Sequence, residues 1–165
     1  MTSENYKILF LDPEKCAGCR QCAMACSLKH EGYVSLIHCR NEIIRMPLEG
    51  INVNMVCRQC TNPPCEAVCP QRAISRNPKT GAMEVDKDRC IGCQSCVIAC
   101  PIGGISKNME TGKIIKCNLC EGDPECVKYC AYGGIEYLSM EEGQSQKKKK
   151  AISKMMRYIK FFEKD

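Results

Sequence analysis

Apolar residues in this chain come in short runs. YKILFLD before Cys16, INVNMV before Cys57 and GIEYLS after Cys130 each have strand length and strand character. Two longer segments repeat one pattern: Ala73 to Cys90 (AISRNPKTGAMEVDKDRC) and Gly104 to Cys117 (GISKNMETGKIIKC) each give a short strand, a turn with Gly81 or Gly112, a second strand and then a cysteine. Both predict β-hairpins. Where cysteines lie three residues apart there is room for single helical turns, and Ser27 to Met55 reads as a connection. The period changes at the end: in QKKKKAISKMMRYIKFFEKD, Ile152, Met155, Met156, Ile159 and Phe162 recur at helical spacing, with Lys154, Arg157 and Lys160 away from that stripe. This predicts an amphipathic helix.

Composition shows what these short elements pack around. Leu, Ile, Val and Phe together supply only 32 of 165 residues, too few for an ordinary core, while cysteine supplies 17. No basic n-region, long apolar run, twin arginine or membrane-length segment is visible, so a cytoplasmic, reducing setting is expected. There a dense cysteine pattern with an odd count argues for metal ligation over a closed disulfide framework.

Sixteen of the cysteines form four tetrads: Cys16, Cys19, Cys22 and Cys26; Cys57, Cys60, Cys65 and Cys69; Cys90, Cys93, Cys96 and Cys100; and Cys117, Cys120, Cys126 and Cys130. The third, CIGCQSCVIACP, is the C-x2-C-x2-C-x3-C-P run in which three thiolates hold one 4Fe-4S cubane and the fourth ligates the other cluster of a pair. The second and fourth lengthen the middle spacing, with Pro63 and Pro64 or Gly122 and Pro124 making the turn. Gly18 and Gly92 suit loops that need positive φ and turn amides toward sulfur. Structural zinc is the rival, but zinc ribbons separate two C-x2-C pairs by a longer loop, whereas each tetrad here lies within fourteen residues.

Proline follows Cys69 and Cys100 but not Cys26 or Cys130, and the gap from Cys69 to Cys90 is short. Exchange of fourth cysteines then makes the middle tetrads one unit and leaves the outer tetrads to pair. The expected ligand sets are Cys57, Cys60, Cys65 with Cys100; Cys90, Cys93, Cys96 with Cys69; Cys16, Cys19, Cys22 with Cys130; and Cys117, Cys120, Cys126 with Cys26. Pairing the first tetrad with the second and the third with the fourth also satisfies the spacing. The expected fold is α+β: two ferredoxin-like dicluster units, an outer one from 1–56 and 101–140 and an inner one from 57–100, built of hairpins and single-turn helices around cubanes. Residues 141–165 form a lysine-rich linker and the amphipathic helix.

Cys39 is left over and reads as a small buried hydrophobe, and His30 and His38 as ordinary polar residues, although a histidine near a cluster can couple its potential to pH. The formal charge of +5 suggests nucleic acid, but it counts every cysteine as neutral. Sixteen thiolates carry about −16 and four oxidised cubane cores about +8, leaving the loaded protein near −3. The tail helix has three destinations: its own body, a partner or second copy, and an anionic membrane surface.

Together these motifs resemble the four-cluster, polyferredoxin-like subunits of the dimethyl sulfoxide reductase small-subunit type. CSLKHEG, VCRQCTNPPCEAVCP, AISRNPKTGAMEVD and KCNLCEGDPECVKYC look most like the small subunits of tungsten aldehyde:ferredoxin oxidoreductases and benzoyl-CoA reductases. The resemblance spans about Tyr6 to Leu138; Ala131, where proline is common, and the tail depart from it. It implies outer-with-outer and inner-with-inner pairing and four 4Fe-4S clusters. It also implies a non-catalytic electron relay between a tungsten or molybdenum subunit and ferredoxin or another carrier, with no nucleic acid. Subunits of formate dehydrogenases, hydrogenases and carbon monoxide dehydrogenases look similar. No nucleophile–base pair, phosphate loop or G-x-G-x-x-G is present, and the tail suggests self-association, with filaments as one form of it.

Overall fold

The computed structural model describes residues 6–162, with the side chains from Lys160 onward outside the described part. Eight short strands pair into four two-stranded antiparallel sheets. β1 (Lys7–Leu11) pairs with β8 (Ile135–Ser139), placing Leu9 opposite Tyr137, and β2 (Asn41–Met46) pairs with β3 (Ile51–Val56). β4 (Ile74–Arg76) pairs with β5 (Met83–Val85), and β6 (Ile105–Lys107) with β7 (Ile114–Lys116).

The last two pairs are the expected hairpins, and one loop closes both. Asn77 and Asn108 each accept, at Oδ1, the amide two residues on (2.9 Å in both) and, at their carbonyl, the glycine amide of Gly81 or Gly112 (2.9 Å in both). Those glycines sit at φ 71° and 69°, in the left-handed region where a Cβ is costly. The shared sequence is Asn-x-x-Thr-Gly, and the Asn side chain sets the turn.

α2 (Pro64–Ala67), α3 (Ser95–Ala99) and α4 (Glu125–Lys128) are the short helices expected at the x3 spacings. α1 (Gln21–Glu31) is not: it is 11 residues long and runs on past Cys26, until Gly32 at φ 80° returns its amide to Leu28 O. The supposed connection after it contains β2, turned by Pro47–Gly50 into β3. Buried Asn41 and Ile43 alternate with exposed Glu42 and Ile44. These are corrections to the single-turn and connection readings.

Two main cores result, each with cysteines set among aliphatic side chains. One gathers Leu9, Ile43, Val56, Leu119 and Ile135 around Cys22, Cys57, Cys117 and Cys126. The other gathers Ile74, Met83, Ile105 and Ile114 around Cys65 and Cys96.

α5 (Met140–Phe162) begins with no linker before it, a second correction. Ser139 and Glu142 form a reciprocal capping box, Glu142 N donating to Ser139 Oγ (3.2 Å) and Ser139 N to Glu142 Oε2 (2.8 Å). Its first turns dock on β1: Gly143 lies flat on the Phe10 ring and Lys147 Nζ stands 5.9 Å over the ring centre. Lys150 pairs with Asp12 (2.6 Å) and Glu14 (2.8 Å), and Lys154 with Glu14. The helix therefore faces its body with Gly143 and lysines, and Ile152, Met155, Met156 and Ile159 stand in solvent. Phe162, last of the predicted stripe, has its side chain outside the described residues.

A Cβ at Gly143 would meet Phe10 ring atoms at 1.8–2.3 Å. Gly143→Ala returns about 1 kcal/mol of helix propensity but sets about 1–3 kcal/mol of overpacking against it, so the helix base should loosen. Trypsin should cut at Lys147–Lys150 faster in the variant; an unchanged rate would show that Phe10 accommodates the methyl.

Candidate iron–sulfur sites

The fold sorts the sixteen tetrad thiols into four groups. Cys57, Cys60, Cys65 and Cys100 line one cavity, Cys90, Cys93, Cys96 and Cys69 a second, and Cys16, Cys19, Cys22 and Cys130 a third. Cys117, Cys120, Cys126 and Cys26 face one another: the acidic neighbours of Cys126 are Cys117, Cys26, Cys120 and Cys22, and Cys26 faces Cys120. Each group brings three cysteines of one tetrad to the last cysteine of another. The thiols stand around a space rather than meeting at a point; among the described residues no three Cys, His, Asp or Glu groups converge as ligands of a single ion.

Backbone geometry aims amides at these sulfurs. Ala73, Gly104 and Gly134, each four residues after a final cysteine, donate to Cys69 (3.2 Å), Cys100 (3.3 Å) and Cys130 (3.2 Å). The residue before each donor, Arg72, Gly103 or Gly133, has φ between 49° and 63°, and this left-handed step turns the next amide back to sulfur. Inside the first C-x2-C of each tetrad the second x is also left-handed: Gly18 (68°), Gln59 (51°), Gly92 (69°) and Leu119 (57°). Glycine does this freely, whereas Gln59 and Leu119 are buried, their strain held by packing. Gly104 further brings its backbone onto Cys57, where a Cβ would lie 2.8 Å from Cys57 Cα, and Gly134 onto Cys16, at 3.3 Å.

Cys26 lacks that turn because α1 runs on, and Arg40 N donates to its sulfur instead (3.3 Å). The hairpin β2–β3 clamps the rest of the first tetrad: Arg45 binds Gly18 O (3.0 Å), Asn52 binds Cys16 O (3.0 Å) and Asn54 Nδ2 approaches Cys22 Sγ (3.6 Å). None of these residues was legible as part of a site. Of the two readings of His30, the structure favours the one beside a site over the ordinary polar residue, its Nε2 lying 3.4 Å from Cys120 Sγ. His38 is buried against the Tyr33 hydroxyl (2.8 Å). Cys39 packs on Ala23 and Cys26 and donates to Leu36 O and Asn41 O, as a small buried side chain does.

Electrostatics completes the test of fit. Burial pushes the Cys22 and Cys26 thiols up to about 11 and Cys117 to about 12, and Cys126 upward as well. Such thiolates are stable at neutral pH only beside compensating positive charge, which iron supplies. At the surface the Ser95 hydroxyl, 3.5 Å from Cys93 Sγ, holds that exposed thiol below its ordinary value. Four inward thiols, amides on sulfur and no competing ligand chemistry within each group fit a 4Fe-4S cluster.

Sulfurs of different groups are neighbours at three places: Cys22 with Cys126, Cys117 with Cys57, and Cys65 with Cys96. These couplings link the four groups in one series. The end groups each reach the surface, through exposed Cys19 and exposed Cys93.

Comparison with known proteins agrees with this chemistry. Residues 49–140 match the 4Fe-4S dicluster domain and residues 13–29 a 4Fe-4S binding domain. The chain is 39% identical over 137 residues to the aliphatic sulfonate oxidoreductase, polyferredoxin-like subunit of Pyrococcus furiosus, covering 82% of this chain and 78% of that one. It is 32% identical over 157 residues to the thiosulfate reductase electron transfer subunit PhsB of Salmonella typhi, covering 87% and 81%. Among solved structures, the active site complex BamBC of benzoyl coenzyme A reductase as isolated aligns with a TM-score of 0.49 at 24% identity, covering 81% of this chain and 76% of that one. No helix among the described residues is long and apolar enough to cross a membrane. The chain belongs to the 4Fe-4S dicluster family, as a polyferredoxin-like electron-transfer subunit that is not itself catalytic.

Proposed function

We propose that this chain relays single electrons, in the cytoplasm, through four 4Fe-4S clusters between a catalytic oxidoreductase subunit and ferredoxin or another one-electron carrier. The ligand sets are Cys16, Cys19, Cys22, Cys130; Cys117, Cys120, Cys126, Cys26; Cys57, Cys60, Cys65, Cys100; and Cys90, Cys93, Cys96, Cys69, in that spatial order. The outer unit comprises 1–56 and 101–140 and the inner 57–100. The observation carrying this reading is the linked series of thiol groups with one exposed cysteine at each end. The clusters supply one-electron exchange with no bond made or broken at carbon. The protein's own part is to hold them in line, keep water from the middle pair and set the charge around each.

A tungsten subunit of the aldehyde oxidoreductase type is our first choice of partner, on the resemblance of KCNLCEGDPECVKYC and its neighbours. The subunits of formate dehydrogenases, hydrogenases and carbon monoxide dehydrogenases are the alternatives. The free stripe of α5 supports a second role, docking on another copy or on the catalytic subunit, since its lysine face is engaged and its apolar face is not.

The deciding experiment is elemental analysis of the native complex purified without oxygen. About sixteen iron and sixteen sulfide per chain are expected for four cubanes, with tungsten alongside. Molybdenum or nickel would redirect the partner, and zinc without sulfide would sink the relay. Pairing is tested by paramagnetic resonance of the reduced protein. Cys100→Ser and Cys60→Ser should alter the same signal and Cys93→Ser a different one; if Cys100→Ser instead matches Cys93→Ser, the exchange of fourth cysteines is wrong. Removing Lys147 to Asp165 should lower the particle mass by more than the deleted segment, and a loss of the segment alone would exclude the docking role.

A further inference from the structure

Lys116 closes β7, a strand whose three residues are all buried, and is itself only 6% exposed. Its ammonium donates to Cys57 Sγ at 2.8 Å and lines the cavity of Cys57, Cys60, Cys65 and Cys100. The same charge opposes the rise that burial imposes on the Cys65 thiol. One residue later comes Cys117, in the neighbouring group of the file. Gln59 returns across the junction, donating to Cys117 O (3.1 Å) and accepting from Met83 N (2.7 Å). The other donors to cysteine sulfur are backbone amides, the Asn54 amide, the Ser95 hydroxyl and the His30 ring; among the described residues Lys116 is the one ammonium in this role.

On the ligand assignment above, we propose that Lys116 raises the reduction potential of the cluster held by Cys57, Cys60, Cys65 and Cys100 and leaves the other three in place. Reduction adds one negative charge. Burial resists it, because that charge is poorly solvated, and would make a middle site the hardest in the file to reduce. A fixed cation within hydrogen-bond reach of a ligand sulfur reverses the effect, withdrawing charge from sulfur and favouring the reduced form. The electron arrives from one neighbouring site and leaves to the other. Lys116 so keeps the crossing between the inner and outer units from becoming an uphill step.

The test compares Lys116→Met and Lys116→Arg in the anaerobically assembled holoprotein by iron and sulfide content and by a redox titration followed by paramagnetic resonance. Lys116→Met should keep full iron and shift one signal, the one Cys100→Ser alters, to lower potential; Lys116→Arg should stay near the parent. Full iron with no shift, or an equal shift of all signals, overturns the proposal. Should Lys116→Met fail to load, Lys116→Gln, which keeps a donor without the charge, takes its place. If both neutral variants lose that cluster while Lys116→Arg keeps it, Lys116 is an assembly residue and the proposal falls. A clean shift in a signal that Cys100→Ser leaves alone would instead refute the ligand assignment, a separate failure.

Discussion

A sulfur that is to bind iron must be an anion, and this fold puts its sulfurs where anions are least welcome. Cys117 and Cys126 lie beside Leu119 and Ile135 in a core with few other large side chains. Desolvating even one thiolate there is costly, and several share the same neighbourhood. On the proposed ligand sets the protein meets the cost in two ways: iron at the centre of each group, and N–H groups at its rim. Little else remains to hold the chain together, since the sheets are two strands wide and three of the five helices are about one turn long. Folding and cluster assembly are thus one transaction, as in small metal domains generally.

The rim donors come from a backbone device used repeatedly. A left-handed residue before Ala73, Gly104 or Gly134 turns the following amide onto the cysteine four residues back. The conformation is disfavoured for Arg72, and for Gln59 and Leu119 inside their C-x2-C loops, yet all three adopt it. The amide–sulfur bond is charge-assisted once the thiolate binds iron, and such bonds are about twice as strong as neutral ones. That gain offsets left-handed strain of order 1–3 kcal/mol per residue. Side-chain identity at these positions is therefore less informative than their place relative to cysteine.

This explains which parts of the molecule were legible. Cysteine spacing is a direct imprint of cluster geometry, and Asn-x-x-Thr-Gly fixes its hairpin by local hydrogen bonds, so tetrads and hairpins could be read from residues alone. The capping box Ser139-x-x-Glu142 was equally local, and the lysine run after it hid the helix start. α1 was missed because after Ser27 its residues Leu28 and Lys29 are exposed and His30 and Glu31 half-buried, which leaves no clean apolar stripe. β2 was missed because Ile43 and Ile44 lie side by side, blurring the alternation that burial of Asn41 and Ile43 obeys. Arg40, Asn52, Asn54 and Lys116 act across 14, 36, 32 and 59 residues of chain respectively, and no local pattern carries that information.

The four thiol groups are alike in composition, so differences among their sites must come from what surrounds them. The end groups have Cys19 or Cys93 at the surface, where water stabilises added charge. The middle groups have no fully exposed cysteine, and their sulfurs meet different side-chain and backbone donors: Arg40 N and the His30 ring beside Cys26 and Cys120, and Lys116 beside Cys57. Water at the exposed end cysteines and donors on sulfurs in all four groups serve one requirement of the proposed relay, that an added electron find comparable stabilisation at each position. A file of identical ligands in a uniformly apolar interior would lack it, because its buried members would be harder to reduce than its exposed ones. The polar residues that look misplaced in so small a core are what make a line of clusters passable.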